Sequence, residues 1–163
     1  MLQKKICVLG ATGVGKTSLI KQYVEGKFSD KYLTTIGVKI DKKVIQTSTS
    51  DVQLMIWDLE GIDRYCGFNP RYLRGASAFF IVMDHTRSQS LVEGVEIYEM
   101  AREHTDIPAI MVVNKCDIDS SWHWDTDAVN ERVSLFADCF YTSAKTGENV
   151  EAMFNAITEL TLG

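Results

Sequence analysis

The sequence lacks the features that would mark a membrane-spanning or disulfide-stabilised protein. Its longest apolar stretches, residues 78–83 and 107–113, are far too short to span a bilayer, and no signal peptide precedes the first predicted strand. The four cysteines lie far apart and form neither a CxxC pair nor a Cys/His ligand pattern, so we expect reduced thiols. These absences predict a soluble, cytoplasmic protein.

Basic residues are too few for a protein that holds nucleic acid by charge alone. The 163 residues include 17 Lys and Arg against 22 Asp and Glu, a formal net charge of -5. Non-specific nucleic-acid binding depends on neutralising phosphates with Lys and Arg, so we expect no nucleic-acid partner. The length is that of one ordinary domain, and we predict a single domain over residues 1–163.

Short apolar runs alternate with longer segments of helical period, a pattern that predicts an α/β sheet with helices on both faces. The polar cluster at residues 47–51 indicates a hairpin turn between the second and third strands, so one edge strand should be antiparallel. The six predicted strands are residues 4–9, 38–46, 52–58, 78–84, 109–114 and 140–142. The four predicted helices are residues 15–25, 88–104, 125–137 and 148–160.

A glycine-rich run, GATGVGKT at residues 10–17, follows the first predicted strand and fits the pattern G-x-x-x-x-G-K-[ST] of a phosphate-binding loop. Glycines let the loop turn its backbone N–H groups inward around an anion, and the following helix presents its positive N-terminus to the same anion. Lys16 would reach the β- and γ-phosphates, and the Thr17 hydroxyl would take one position on Mg²⁺. The run predicts a nucleoside triphosphate as the ligand.

Other polar motifs lie where predicted strands end, and in an open parallel sheet such ends meet at one ligand-binding edge. After the third strand, Asp58 could hold Mg²⁺ through water, and Gly61 could approach the γ-phosphate. After the fifth strand, the Asp117 carboxylate of NKCD can accept hydrogen bonds from the N1–H and the exocyclic amine of guanine, a donor pair that adenine lacks. This motif predicts GTP rather than ATP.

Four further residues complete the site predicted from these motifs. Asn114 would tie the NKCD loop to the phosphate loop, and the stem of Lys115 would cover a face of the base. After the last strand, the backbone N–H of Ala144 could donate to guanine O6. Between the first helix and the second strand, the Thr35 hydroxyl is placed to join Mg²⁺ while its N–H meets the γ-phosphate, so these contacts depend on that phosphate.

With these motifs in order, the sequence resembles the small GTPases of the Ras superfamily. It is most similar to Rab proteins, in TIGV at 35–38, WD at 57–58, YLRGA at 72–76 and TSAKTGENV at 142–150. The resemblance covers essentially the whole chain. It implies a P-loop NTPase fold with a six-stranded, mainly parallel sheet, GTP or GDP and Mg²⁺ as cofactors, and two switch segments near residues 30–38 and 59–74.

The resemblance also implies roles for individual residues. Mg²⁺ ligands would be Thr17, Thr35 and Asp58, and catalytic roles would belong to Lys16, Thr35 and Gly61. Effector, exchange-factor and activating proteins would bind an apolar surface at Ile40, Trp57 and Tyr72. The nucleotide-contacting set comprises Gly13, Val14, Gly15, Lys16, Thr17, Ser18, Phe28, Thr35, Gly61, Asn114, Lys115, Asp117, Ser143, Ala144 and Lys145, with Phe28 packed against the guanine.

One departure from the family pattern bears on catalysis. Directly after Gly61, where the family has a glutamine that orients the attacking water, this chain has Ile62, whose aliphatic side chain cannot do so. The neighbouring Glu60 is a poor substitute, because a second negative charge beside the γ-phosphate is unfavourable. We therefore expect a GTP hydrolase with slow turnover. The alternative is a nucleotide-bound interaction module that does not hydrolyse GTP.

Two more expectations concern membranes and a competing activity. No C-terminal prenylation signal follows Cys139, and Met1-Leu2 excludes N-myristoylation, so this chain carries no direct membrane anchor. It would reach membranes through partners or through a tail absent from this sequence. An ATP-dependent kinase built on the same phosphate loop is disfavoured by Asp117.

Overall fold

The computed structural model describes residues 1–28, 38–59, 69–118 and 126–163. These residues form a six-stranded sheet flanked by helices. The strands are β1 (Leu2–Gly10), β2 (Val38–Gln46), β3 (Asp51–Leu59), β4 (Ala76–Asp84), β5 (Ala109–Asn114) and β6 (Asp138–Tyr141). The helices are α1 (Lys16–Glu25), α2 (Gln89–Arg102), α3 (Thr126–Val133) and α4 (Val150–Leu162), and Pro70–Leu73 form a single 3₁₀ turn.

The sheet is parallel except at one edge. Its strand order is β2-β3-β1-β4-β5-β6, and among the strands that the structure describes only β2 with β3 is an antiparallel pair. Strand β1 is buried on both faces, with Ile6 and Val8 in one core cluster and Cys7 and Leu9 in the other. The predicted α/β sheet with one antiparallel edge strand is confirmed.

Helices cover both faces of the sheet. Helices α1 and α4 pack on the Ile6 face, where the rings of Tyr23 and Phe154 stack with centroids 4.0 Å apart. Helix α2 packs on the opposite face, where Gly94 allows close approach to β4 because a Cβ there would lie 2.8 Å from Met83 Cε. Among the helices that the structure describes, none is long and apolar enough to cross a membrane.

Helix α4 begins two residues later than predicted, at Val150 rather than at residue 148. Gly147 and Asn149 have φ angles of 85° and 58°. A right-handed helix cannot include such left-handed residues, so α4 starts directly after them.

Helix α3 ends at Val133 rather than at residue 137, and β6 begins at Asp138 rather than at residue 140. The chain leaves the helix through two tight turns over residues 132–136. The Ala137 N–H then already donates to the Ala109 carbonyl of β5 at 2.8 Å. Pairing with β5 therefore ends α3 before the predicted residue and starts β6 before the predicted residue.

Candidate nucleotide-binding site

The loop between β1 and α1 has its carbonyl oxygens anchored to side chains. Five successive carbonyls, from Gly10 to Val14, accept hydrogen bonds of 2.9–3.3 Å. The donors are Lys16 Nζ to Gly10 and Ala11, Arg87 to Thr12, Lys115 Nζ to Gly13 and Asn114 Nδ2 to Val14. Because C=O and N–H point in opposite directions across a trans peptide, the loop N–H groups are turned to the other side. This arrangement suits a phosphate cradle.

Glycine is required at position 15 of this loop for two reasons. Gly15 is the N-cap of α1 and has a φ of 98°, a left-handed value that strains other residues. A Cβ at this position would also collide with Asn114 Nδ2. The glycine therefore permits both the turn into the helix and the contact that brings Asn114 to the loop.

The Lys16 side chain lies inside the loop and is only 6% exposed. Burial lowers the pKa of Lys16 from 10.5 to about 8, and the nearby Asp58 carboxylate opposes that shift. A phosphate bound in the loop would favour the charged ammonium. The buried Lys16 ammonium lacks water around it, so an anion bound in the loop would stabilise its charge.

At the start of α1, Thr17 Oγ1 donates to Asp58 Oδ2 at 2.6 Å. Asp58 is buried near the end of β3, so a hydroxyl and a carboxylate meet beside the phosphate loop. Hard oxygen ligands of this kind fit Mg²⁺, which takes one or two protein ligands together with water and phosphate oxygens. In the part of the chain that the structure describes, no group of three or more His, Cys, Asp or Glu side chains could hold a metal.

The ends of β5 and β6 bring the predicted base-reading residues together. Ser143 Oγ donates to Asp117 Oδ1 at 2.8 Å, and Thr142 Oγ1 donates to Asn114 Oδ1 at 3.2 Å. The Cys116 N–H donates to the Thr142 carbonyl at 3.0 Å, which joins the two loops along their backbones. These bonds fix the position of the Asp117 carboxylate relative to the loop after β6.

Several predicted site residues lie at the margin of this network or beyond the described chain. Ser18 is half-buried on α1, Ala144 is buried, and Lys145 is exposed. Phe28, predicted to pack against the base, is 39% exposed. Thr35, Glu60, Gly61 and Ile62 lie outside the residues that the structure describes.

The residues predicted for partner binding lie on one side of the sheet. Ile40 of β2 lies opposite Trp57 of β3 in the strand register and is 45% exposed. Trp57 and Tyr72 are both partly buried against the core cluster that contains Leu9. The Lys5 ammonium lies 3.7 Å from the centroid of the Trp57 ring, a cation–π contact that restrains the indole.

Sequence reasoning missed two residues at the nucleotide edge, Asp84 and Arg87. Asp84 ends β4 and its Oδ2 accepts a hydrogen bond from Lys115 Nζ at 2.9 Å. Arg87 follows three residues later and donates to the Thr12 carbonyl at 3.3 Å. A signal was present in the sequence, because polar residues after β4 belong to the same strand-end edge as those after β3 and β5.

The sheet order and the loop after β1 are those of a P-loop nucleotide-binding fold. A sequence model of the Ras family matches residues 5–162, nearly the whole chain. The chain therefore belongs to the Ras family.

Individual relatives are Rab proteins and SEC4. Ras-related protein Rab-32 of Homo sapiens is 35% identical over 165 residues, which cover 95% of this chain and 73% of the relative. Ras-related protein Rab-22A of Homo sapiens is 33% identical over 157 residues, which cover 94% and 81%. Ras-related protein SEC4 of Candida albicans is 29% identical over 168 residues, which cover 96% and 76%. The predicted similarity to Rab proteins is confirmed.

Proposed function

We propose that the chain is a GTP-binding molecular switch that hydrolyses GTP slowly with Mg²⁺ and recruits effectors through two switch segments. One observation carries this proposal: Asn114 and Lys115 donate to the Val14 and Gly13 carbonyls at 3.1 and 2.9 Å. These bonds join the base-reading loop to the phosphate loop. A nucleotide lying across the junction has its phosphates at the N-terminus of α1 and its base beside Asp117. Membership of the Ras family supports the same ligand.

The choice of guanine rests on Asp117. A carboxylate only accepts hydrogen bonds, and guanine presents two adjacent donors, N1–H and the exocyclic amine. Adenine would place a ring-nitrogen lone pair against the carboxylate, so both groups would lack their partners. The Ser143 hydroxyl, 2.8 Å from Asp117 Oδ1, holds that carboxylate in place and supports the assignment.

At the phosphate end, we assign Lys16 and the loop N–H groups to the phosphate oxygens and Thr17, Asp58 and Thr35 to Mg²⁺. The bound ion would supply positive charge that screens the phosphates. Thr35 and Gly61 would contact the γ-phosphate, and loss of these contacts on hydrolysis would be what switches the segments that contain them.

Partner proteins bind the surface formed by Ile40, Trp57 and Tyr72. Effectors bind this surface in the GTP state, and exchange factors and activating proteins act at the same place. Recruitment by such partners brings the protein to membranes. An activating protein that inserts its own arginine and glutamine would supply in trans what Ile62 does not provide.

Nucleotide content and competition binding test the proposal. Protein purified with Mg²⁺ is denatured and its released nucleotide is identified by chromatography. In a second, native sample, fluorescent GDP is bound to the protein and then displaced with GTP or ATP. We expect bound GDP, and displacement by GTP but not by ATP. Equal displacement by ATP would contradict the assignment of guanine.

Ile62 favours a second function, a module that stays bound to GTP and presents one surface to its partners. Such a module would retain the base and phosphate contacts but lack a group to orient water. It would be purified with GTP rather than GDP. A single-turnover GTP assay on the same protein separates the two functions, since only the switch converts its GTP to GDP.

A further inference from the structure

Asp84 is a buried carboxylate that is not one of the predicted site residues. It ends β4 and is 1% exposed. Its Oδ1 accepts hydrogen bonds from the Thr86 N–H and hydroxyl at 2.8 and 2.6 Å, and its Oδ2 accepts one from Lys115 Nζ at 2.9 Å. A carboxylate removed from water is costly unless it is paired, so this side chain binds its cation firmly.

Lys115 is restrained in both its backbone and its side chain. Its φ is 67°, a left-handed conformation that a non-glycine residue keeps only where its surroundings hold it. Its ammonium lies between two acceptors, Asp84 Oδ2 and the Gly13 carbonyl, each at 2.9 Å. The side chain is still 35% exposed. Without Asp84 the flexible lysine stem would therefore be able to turn towards water.

The sheet places these groups together. Strands β4 and β5 are parallel neighbours, and Asp84 pairs with Asn114 in their register. The residue after Asn114 therefore begins its loop beside the Asp84 carboxylate. The contact between the ammonium and a full negative charge is stronger than its contact with the Gly13 carbonyl, which is neutral. Asp84 is thus the stronger of the two anchors of Lys115.

We propose that Asp84 is a positioning residue of the nucleotide site. It holds the Lys115 ammonium against the Gly13 carbonyl and so fixes the base-reading loop to the phosphate loop. This inference rests on the proposed function, because it gives the contact a role in retaining nucleotide. With Asp84 in place, both loops are ordered before nucleotide enters and less freedom is lost on binding. Without it, Lys115 leaves the loop and bound nucleotide dissociates faster.

Asp84 also shapes the turn that follows β4, and the test has to separate the two roles. The turn uses the Oδ1 bonds to Thr86 and the Arg87 N–H bond to the Asp84 carbonyl at 3.0 Å. Thr86→Val removes the hydroxyl bond and leaves the Lys115 contact intact, so it is the matched control. Asp84→Asn removes the charge with little change of shape, and Asp84→Glu keeps the charge but displaces it.

The measurement is the dissociation rate of fluorescent GDP with Mg²⁺, together with the urea unfolding of each GDP-loaded variant. We expect Asp84→Asn to accelerate release at least about tenfold, since loss of one member of a buried charge pair acts mainly on the dissociation rate, and Asp84→Glu to accelerate it about threefold. Thr86→Val should change release less than about twofold even where it lowers the unfolding midpoint. In a Lys115→Met background, Asp84→Asn and Asp84→Glu should each add less than about twofold, because the group they act through is gone.

Equal acceleration by Asp84→Asn in the parent and in the Lys115→Met background would overturn the inference. So would release rates that follow the unfolding midpoints across all variants, since that pattern belongs to a structural role alone. If Asp84→Asn does not fold, Asp84→Glu takes its place, and its release rate is compared in the parent protein and in the Lys115→Met background. Failure of the parent protein to retain GDP would refute the proposed function and this inference with it. Retention that is insensitive to Asp84 would refute the inference alone.

Discussion

At the scale of single residues, Lys16 should couple nucleotide binding to proton uptake. Burial lowers its pKa to about 8, so near pH 8 about half of the free protein carries a neutral lysine. Bound phosphate favours the ammonium, so the bound state holds more protons than the free state. The affinity for GDP should therefore fall as the pH rises above about 8.

Calorimetric titration with GDP in two buffers of different ionisation enthalpy measures this uptake. We expect about half a proton taken up per GDP at pH 8, with the uptake increasing as the pH rises further. Identical heats in the two buffers at pH 8 would show that Lys16 is already fully charged in the free protein.

Asp117 should determine the choice of base. Asp117→Asn should weaken GTP binding and favour xanthosine triphosphate, because an amide can donate to the O2 that xanthine has in place of the guanine amine. Competition binding with the two nucleotides measures the preference. Asp127→Asn, which removes an exposed carboxylate from the first turn of α3, is the control and should leave the preference unchanged. A preference for GTP that survives Asp117→Asn would mean that another group reads the base.

At the scale of elements, Gly15 and Gly26 form a matched pair at the two ends of α1. Both have left-handed backbones, with φ of 98° and 69°. A Cβ on Gly15 would collide with Asn114 Nδ2, whereas a Cβ on Gly26 would meet nothing within 4 Å. Gly26→Ala should therefore cost only the backbone strain, about 1 kcal/mol in the free energy of unfolding. Gly15→Ala should cost about 3 kcal/mol, because overpacking adds to that strain. Urea unfolding compares the two, and equal losses would contradict the packing of Asn114 on the loop.

Burial explains the predicted bounds of some strands but not of all, since the largely exposed edge strand β2 has the predicted bounds of residues 38–46. Strands β4 and β5 are continuous apolar runs with little exposure, and their predicted ends at residues 84 and 114 agree with the structure. Strand β6 is short, and its Asp138 and Tyr141 are exposed, so it carries little apolar signal and its predicted bounds were wrong. The start of α4 depends on a left-handed Asn149, which no periodicity of apolar residues can indicate.

At the scale of the whole molecule, the strand ends unite motifs that are about a hundred residues apart. The sequence predicted the phosphate loop and the base-reading loop from their residue patterns, and the structure joins them through Asn114 and Lys115. Asp84 and Arg87 belong to no such pattern. Their contacts with Lys115 and Thr12 exist only because β4 lies between β1 and β5. Contacts of that kind follow from the topology, and the sequence indicates only that these polar residues follow a predicted strand and so lie at the same edge of the sheet.

GTP hydrolysis depends on all parts of the site together, and Ile62 should limit its rate. Because its side chain cannot hydrogen-bond the attacking water, we expect intrinsic GTP hydrolysis below the rate of roughly 10⁻⁴ per second typical of an unassisted Ras-type protein. Ile62→Gln should raise that rate. A tenfold gain would correspond to about 1.4 kcal/mol of transition-state stabilisation, a reasonable effect for one positioned hydrogen bond. Single-turnover assays measure both proteins.

Glu60→Ala is the control for this prediction, since it removes the neighbouring carboxylate and should not slow hydrolysis. An ordinary rate in the parent protein that Glu60→Ala abolishes would mean that Glu60 positions the water. Ile62 would then not be the cause of slow turnover.

Hydrogen exchange in two nucleotide states tests the central claim, that this protein is a switch. We expect residues 30–38 and 59–74 to exchange more slowly with a non-hydrolysable GTP analogue than with GDP, because Thr35 and Gly61 gain the γ-phosphate as a partner. Thr35→Ala should remove the difference around residues 32–38 while leaving GDP affinity nearly unchanged. Equal protection of both segments in the two states of the parent protein would contradict the account and leave a static nucleotide-bound module.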